Sequence, residues 1–493
     1  MKEQMKTEVP REVQEVASAL GKAGFQAFLV GGCLRDLIMN RVPKDWDVAT
    51  NATPSEIQKL FPESVYENAF GTVGVKTESE DPRLKIIEIT TFRIEGTYSD
   101  ARHPDEVTFA ETIEDDLKRR DFTMNAFALE LSAKKGPGRL VDPHGGLKDI
   151  EAKIIRTVGD PHARFREDAL RMLRAIRFAA DLEFTIAPET DAALRDEAHL
   201  LEVISHERVR DEFQKMIMTP RAAGAIVALE DAGLLKYVLP ELRNGIGVAQ
   251  NKHHVYTVFD HNVHALNYAA EKGYSFEVRL ASLLHDVGKP RSKRGEGEEA
   301  TFHGHESIGA KMALTALDRL RFSKEIVEKV GHLIRYHMFY YNVGEVSAAG
   351  VRRFVRRVGP EHIDDLMRVR EADRIGSKVP KAFPYKLRHL LFMIEKVKHD
   401  PIHPKMLALR GDGLMDMLSL PPGPRVGMIL SILLEDVLDD PERNTRAYLE
   451  ARAKELGALT DAALKERAED ARQRAEEAEN EVESGMKTKY HVQ

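Results

Sequence analysis

The spacing of apolar residues changes once along this chain, near residue 145, and that change decides the class of fold. Between residues 25 and 140, short β-rich runs alternate with turns: Phe28-Leu29-Val30, Val73 to Val75, Ile86 to Thr91, Val107 to Phe109 and Phe127 to Leu131. Beyond that point apolar residues recur at helical spacing almost throughout, with helices expected over Ala169 to Ala180, Phe276 to Val287 and Ile308 to Leu320. Strands confined to one part of a chain and helices to the rest describe an α+β protein. The expectation is a small α/β head followed by an all-α neck, a helical body and a helical tail. With 493 residues the chain is too long for one hydrophobic core. The expected divisions are a leading helix over 1–24, a head over 25–140, a neck over 141–240, a further domain over 241–380, a helical body or tail over 381–445, and a charged, helical or disordered end over 446–493. Pro421, Pro422, Gly423 and Pro424 break the chain sharply within that tail.

Composition excludes some functions and leaves others open. Hydrophobic residues are 42% and charged residues 31%, the balance of a soluble globular protein. No run of about 18 apolar residues exists, so no membrane span is expected. The first residues are charged and contain no apolar core, so no secretory signal is expected. A single cysteine, Cys33, rules out an intrachain disulfide and fits a cytoplasmic location. The net charge of −7 is unusual for a nucleic-acid binder, but phosphate contacts depend on local patches. Three basic clusters stand out: Lys118, Arg119 and Arg120; Arg164, Arg166, Arg171, Arg174 and Arg177; and Arg352, Arg353, Arg356 and Arg357. The third reads equally well as a solvated helix face.

Chemistry concentrates first in Phe28-Leu-Val-Gly31-Gly32-Cys-Leu-Arg35-Asp36, which reads as a strand, a glycine turn and a helix start. Glycines let backbone approach a phosphate, and helix N-terminal amides point at it. Lys44-Asp45-Trp46-Asp47 follows. Alternate residues of a strand share a face, so Asp45 and Asp47 are expected to present two carboxylates together. Like charges held side by side call for a cation between them, and two hard cations held so activate a hydroxyl and stabilise a leaving pyrophosphate.

Further motifs follow in order: Arg119-Arg120-Asp121-Phe122-Thr123-Met124-Asn125-Ala126, Asp142-Pro143 before Gly145-Gly146, and Glu167-Asp168-Ala-Leu-Arg171-Met-Leu-Arg174-Ala-Ile-Arg177-Phe178. With the metal motif they resemble the class II nucleotidyltransferases, the CCA-adding enzymes and bacterial poly(A) polymerases, over residues 25 to about 240. The resemblance implies that Asp45 and Asp47 are catalytic and hold Mg²⁺, and that Gly32, Arg35, Arg120, Arg174 and Arg177 contact the nucleoside triphosphate. Glu88, on a following strand, is either a third carboxylate or a strand-face charge. The segment Phe92 to Pro104 resembles the flexible loop of CCA-adding enzymes, which favours full CCA over CC addition. The mixed, acidic tail argues against poly(A) addition. Adenine and cytosine each present an amino donor beside a ring-nitrogen acceptor. Asp168 and Arg171, three apart on one expected helix, would pair with both and clash with guanine and uracil.

A second constellation spans residues 255 to 375: His261, the pair His285-Asp286 in Leu283-Leu-His-Asp-Val-Gly-Lys289, then His303, His305, His332, His337 and Asp373. Mixed nitrogen and oxygen donors of this kind suit a divalent metal. The order is similar to the HD metal-dependent phosphohydrolases, which implies His261, His285, Asp286 and Asp373 as ligands, with His305 and His337 as further candidates. The metal would be a divalent transition metal or Mg²⁺. The combined resemblance implies an RNA nucleotidyltransferase that adds CCA to tRNA from CTP and ATP, with an HD domain hydrolysing phosphate or 2′,3′-cyclic phosphate at RNA ends. tRNA, ATP and CTP are the expected partners, with no membrane and no DNA. The alternatives are a poly(A) polymerase, an HD phosphohydrolase with an inactive head, and a non-catalytic RNA-binding protein.

Overall fold

Seven of the strands form one mixed sheet because their residues suit a half-buried pleat and the short turns allow neighbours to pair. A computed structural model describes residues 9–66, 71–95, 107–131, 138–250, 255–339, 341–378 and 381–470. It divides the chain into two compact units, the first running to Arg243 and including Ala316–Ser323, the second made of Asn244–Thr315 and the residues from Lys324 onward.

In the first unit, helix α1 (Arg11–Lys22) precedes β1 (Ala27–Val30), α2 (Gly31–Ile38), β2 (Asp47–Thr50), α3 (Pro54–Leu60), β3 (Ser64–Tyr66), β4 (Thr72–Lys76) and β5 (Ile86–Thr91). The hairpin β6 (Arg93–Glu95) and β7 (Val107–Phe109), α4 (Ile113–Lys118), β8 (Ala128–Glu130) and β9 (Leu140–Val141) complete the head. The large sheet runs β3-β4-β5-β2-β1-β8-β9. Only its β2–β5 pair is parallel among the described strands, with Asp47 opposite Glu88. The face carrying Leu29, Val48, Val73, Ile87 and Ile89 packs against α1 and α2 through Val13, Val16, Leu20 and Leu34. The loop expected over Phe92 to Pro104 lies mostly outside the described residues, and its flanks Arg93–Glu95 and Val107–Phe109 pair antiparallel.

The helical part of this unit contains α5 (Gly146–Ala152), α6 (Pro161–Glu167), α7 (Leu170–Leu182), α8 (Pro188–Asp196), α9 (His206–Ile217) and α10 (Ala222–Asp231). Two-residue strands at Ile154–Ile155 and Thr185–Ile186 pair in parallel inside it. The Ala169–Ala180 helix is thus observed as Leu170–Leu182, because Asp168 adopts φ −148° and ψ 102° and breaks the helix between α6 and α7.

The second unit is helical among its described residues, apart from an isolated Arg294–Thr301 bridge. We refer to its helices by residue range: Val258–Glu271, Phe276–Leu284, His305–Arg319, Lys324–Tyr336, Ala348–Val358, Ile363–Gly376, Tyr385–Val397, Gly411–Leu418, Pro424–Asp439 and Arg446–Gly457. The helix expected over Phe276 to Val287 stops at Leu284, and the one expected over Ile308 to Leu320 begins earlier, at His305. The last helices share an apolar core of Leu414, Ile429, Leu433, Val437, Leu449 and Leu456. The architecture is a mixed α/β head followed by helices, as the change of period requires. No described helix is long and apolar enough to cross a membrane.

Candidate functional site

Gly31 opens α2 at φ +70°, a left-handed conformation that glycine adopts without strain. A Cβ there would lie 3.2 Å from Asp47 Oδ2 and 3.3 Å from Arg120 Nη1, so the turn also keeps this space open for the two charged groups. Asp47 begins β2, whereas Asp45 lies in the bend before it, so the pair does not share a strand face as expected. The two carboxylates still crowd together. Burial, Asp45 and then Glu88 push the Asp47 carboxyl up to about 7, against the opposing charge of Arg120. Asp45 and Glu88 both act on the half-buried Asp47, and carboxylate oxygens of this kind suit a divalent cation such as Mg²⁺.

Around this cluster the arginines are tied to carboxylates. Arg119 and Arg120 donate to opposite oxygens of buried Asp116 at 2.7 and 3.1 Å. Arg35 donates to Asn125 Oδ1 at 2.8 Å and to Asp36 at 2.7 Å. Arg174 donates to Asp121 at 2.7 Å, and Arg177 to buried Glu212 at 2.6 Å. The guanidinium carbons of Arg35, Arg174 and Arg177 lie 5.2, 5.4 and 4.1 Å from the centre of the Phe178 ring. One aromatic ring therefore gathers three cations on the path from the turn to α7. Asp168 and Arg171, expected side by side on one helix, are separated by the break before α7. Asp168 accepts from Arg208 at 2.7 Å, and Arg171 donates to Glu167 at 2.6 Å. The helix break at Asp168 turns its side chain toward α9 and removes the three-residue helical adjacency.

Sequence reasoning gave no role to Asp116, Asp121, Arg208 or Glu212. Arg208 and Glu212 are four apart on α9, a spacing that puts both on one face. Burial pushes the Asp121 carboxyl up, but the charge and hydrogen bond of Arg174, and the charge of Arg171, bring it down to about 2. A carboxylate with a lowered folded value adds stability above its unfolded value of about 3.9, and that stability disappears as pH falls through about 2. Asp121→Asn is therefore expected to cost the head about 2 kcal/mol at pH 7. The difference from the unsubstituted chain should shrink between about pH 4 and pH 2. The only tryptophan, Trp46, is buried in the head and reports urea unfolding there. An equal deficit at pH 7 and pH 2.5 would reject the electrostatic origin.

In the second unit, His261, His285, Asp286, His305 and His337 are all buried, and their donor atoms converge. His261 Nε2 and His285 Nε2 are 2.9 Å apart and lie 3.2 and 3.3 Å from Asp286 Oδ2. Asp373 Oδ1 is 3.3 and 3.6 Å from the same two nitrogens. On the other side of the carboxylate, His305 Nε2 and His337 Nε2 lie 3.2 and 3.7 Å from Asp286 Oδ1. Two overlapping groups result, His261–His285–Asp286 and Asp286–His305–His337, each close enough to hold a metal ion.

The outer ring nitrogens explain the aim. The Nδ1 atoms of His285, His305 and His337 meet the carbonyls of Ser282, Phe302 and Ile334, each three residues earlier, at 2.7–2.8 Å. A carbonyl only accepts, so each Nδ1 donates its proton there and each Nε2 is left facing inward. Burial pushes His285 down, yet Asp286 and Asp373 raise it to about 10. Burial pushes His337 down to about 4. A proton held this tightly between carboxylates marks a place where the donor set fits a cation. Lys289 Nζ reaches Asp286 Oδ2 and Gln250 Oε1, both at 2.6 Å. Sequence reasoning assigned neither Lys289 nor Gln250, although Lys289 closes the quoted motif. Gly288 is required by packing, since a Cβ there would sit 2.2 Å from the His305 carbonyl. His303 is exposed and His332 donates from Nε2 to the Val358 carbonyl at 2.6 Å, so neither joins the cluster.

The third basic cluster is structural. Arg352 bonds Asp400 and the Leu438 carbonyl, Arg353 bonds Glu435 and Asp439, and Arg356 bonds Glu435. These contacts fasten Ala348–Val358 to Pro424–Asp439.

Comparison with known proteins finds matches to both units. The poly A polymerase head domain model matches residues 27–156, the probable RNA and SrmB-binding site of polymerase A matches 183–246, and the HD domain matches 258–376. The A-adding tRNA nucleotidyltransferase of Deinococcus radiodurans is 37% identical over 352 residues, 69% of this chain and 78% of that protein. The CCA-adding enzyme of Enterococcus faecalis is 31% identical over 463 residues, 91% of this chain and 97% of that protein. The chain belongs to the tRNA nucleotidyltransferase/poly(A) polymerase family. As a member of it, this nucleotidyltransferase carries an HD domain behind its head. A solved structure of the Bacillus stearothermophilus CCA-adding enzyme in complex with CTP superposes with TM-score 0.64 at 28% identity, covering 90% of this chain and 96% of that one.

Proposed function

We propose that the first unit adds CCA to the 3′ end of tRNA, using CTP and ATP and no nucleic-acid template. The observation that carries this reading is Asp47, set opposite Glu88 and raised by both Glu88 and Asp45, beside the open turn at Gly31 and the Arg120 guanidinium. Asp45 and Asp47 hold Mg²⁺, with Glu88 as the third carboxylate. When bound there, Mg²⁺ activates the tRNA 3′-hydroxyl and offsets charge on the departing pyrophosphate. Gly32 and Arg35 receive the triphosphate with Arg120, and Arg174 and Arg177 orient the nucleotide. Phosphoryl transfer needs little more from a protein than position and charge. On this reading residues 25–140 are the head, 141–240 the neck, 241–380 the HD domain and 381–445 the body or tail. Use of tRNA and a lone cysteine support a cytoplasmic location.

Base choice falls to Asp168 and Arg171. Asp168 accepts from the amino group of A or C and Arg171 donates to the adjacent ring nitrogen. Arg171 meets the base by exchanging its contact with Glu167. Hydrogen bonds to charged groups are worth about 1.5–3 kcal/mol, so loss of either partner is expected to cost selectivity of roughly tenfold to a hundredfold. Asp168→Ala should weaken CTP and ATP use and admit UTP or GTP. Arg171→Ala should do the same with a larger loss of rate. The measurement is incorporation onto CCA-less tRNA with each triphosphate offered alone, and unchanged selectivity in both variants rejects the role.

A second reading, addition of the terminal A alone, is favoured by the A-adding relative. One assay separates the readings: tRNA lacking CCA and tRNA ending in CC are each given CTP and ATP, and the ends are sequenced. CCA addition completes both, A addition completes only the second, and poly(A) addition overruns both. No extension of either would leave the HD hydrolase with an inactive head. The second unit, in the same proposal, hydrolyses phosphomonoesters or 2′,3′-cyclic phosphates at RNA ends. His261, His285, Asp286 and Asp373 would hold a divalent ion, with His305 and His337 as further candidate ligands. Such hydrolysis would restore a 3′-hydroxyl for the head to extend.

A further inference from the structure

In the second unit, the helix Tyr385–Val397 leaves large rings in water. Tyr385 is 63% exposed and Phe392 62% exposed. With Arg388 and Lys396, both exposed, they lie at helical spacing on one stripe of that helix, while Leu387, Leu390 and Val397 turn inward. His389 joins the two rings, with centroids 5.9 Å from Tyr385 and 6.0 Å from Phe392.

The stripe contacts residues that follow His337 in the chain. Tyr341 donates to or accepts from His389 Nδ1 at 2.5 Å and stacks on its ring at 5.9 Å. Lys386 donates to Asn342. Both partners follow His337 closely in sequence. Exposed Met338 comes directly after it and touches Arg370, which also binds Asp373 at 2.6 Å. Residues 381–398 carry five basic side chains against one acidic one, Glu395, in a chain whose net charge is −7. Glu395 is itself paired with Lys398 at 3.3 Å.

Alternating exposed aromatics and cations match unpaired nucleic acid, whose bases stack on rings while cations follow the phosphates. The geometry points to this face as a platform for single-stranded RNA, which stacks the last unpaired bases of a strand whose terminal phosphate the second unit hydrolyses. The inference rests on the reading of the second unit as a phosphohydrolase and names its substrate class. A paired RNA offers the same charge but hides its base faces, so it is disfavoured as the occupant.

The test uses the full chain and a fluorescent single-stranded RNA dodecamer ending in a 3′-phosphate, with a blunt duplex of equal length as control. Fluorescence anisotropy measures binding, and release of inorganic phosphate is followed separately. Tyr385→Ala with Phe392→Ala is expected to weaken binding of the single strand by about tenfold or more and leave the duplex unchanged. KM for phosphate release should rise in parallel with kcat within about twofold. Arg388→Glu with Lys396→Glu should weaken binding and flatten its salt dependence. Unchanged single-strand affinity in the aromatic variant overturns the inference. So does equal loss for strand and duplex, or a dimer that dissociates on the same substitutions without a change in RNA binding. Absence of phosphate release by the unsubstituted chain would reject the phosphohydrolase reading instead, and anisotropy would still decide the platform.

Discussion

Replacing Asp47 with alanine is expected to abolish nucleotide addition, C and A alike, with a loss on the order of a thousandfold or more, since a metal centre supplies several kcal/mol. Asp45→Ala should do the same. Both changes remove an oxygen donor from one shared cluster, whereas hydrolysis by the second unit should persist. Stability should move the other way. Without metal, burial and the neighbouring Asp45 and Glu88 raise the Asp47 carboxyl to about 7. A carboxylate with a raised folded value favours the fold below its unfolded value of about 3.9 and loses that contribution as pH rises through about 7. At pH 8 in a chelator, Asp47→Asn should therefore stabilise the head by one to about 4 kcal/mol. Added Mg²⁺ should stabilise the unsubstituted head and leave Asp47→Asn unmoved. Urea unfolding followed by Trp46 fluorescence reads both effects. Near-normal addition by either alanine variant would reject the metal assignment.

The second large effect belongs to the other unit. His285→Ala combined with Asp286→Ala should strip the protein of HD-bound metal and reduce phosphate release by on the order of a thousandfold. Asp286 faces both groups of histidines, through Oδ2 on one side and Oδ1 on the other, so its removal should empty both. Nucleotide addition should continue, because the Asp45, Asp47 and Glu88 donors lie in a different compact unit. Metal analysis of the purified variant and extension of end-labelled tRNA decide the matter. Loss of addition while Trp46 unfolds normally would mean that the histidine cluster serves the polymerase reaction as well.

By itself the sequence determined what depends on neighbours along the chain. The change of apolar spacing near residue 145 separated a mixed sheet from a helical remainder, because periods of 2 and 3.6 are local properties. The glycine turn, the Asp-Trp-Asp segment and the His-Asp pair were legible for the same reason, and so was the family. Tertiary structure decided what depends on register and packing. The sequence placed Glu88 on a following strand, and the parallel pairing of β2 with β5 sets it opposite Asp47. The cluster Arg352, Arg353 and Arg356 became a fastening between two helices, since its carboxylate partners Glu435 and Asp439 are remote in sequence. Asp168 does not share a helix with Arg171 because the chain breaks there, and α9 supplies Arg208 to its carboxylate. Asp286 acquired two faces only when four histidines from separate helices and loops aimed Nε2 at it, each held by a contact on its outer nitrogen. Spacing along a chain fixes which residues share an element, but the meeting of elements is set by the burial of their apolar faces, and the sites form where those packed elements bring distant charges together.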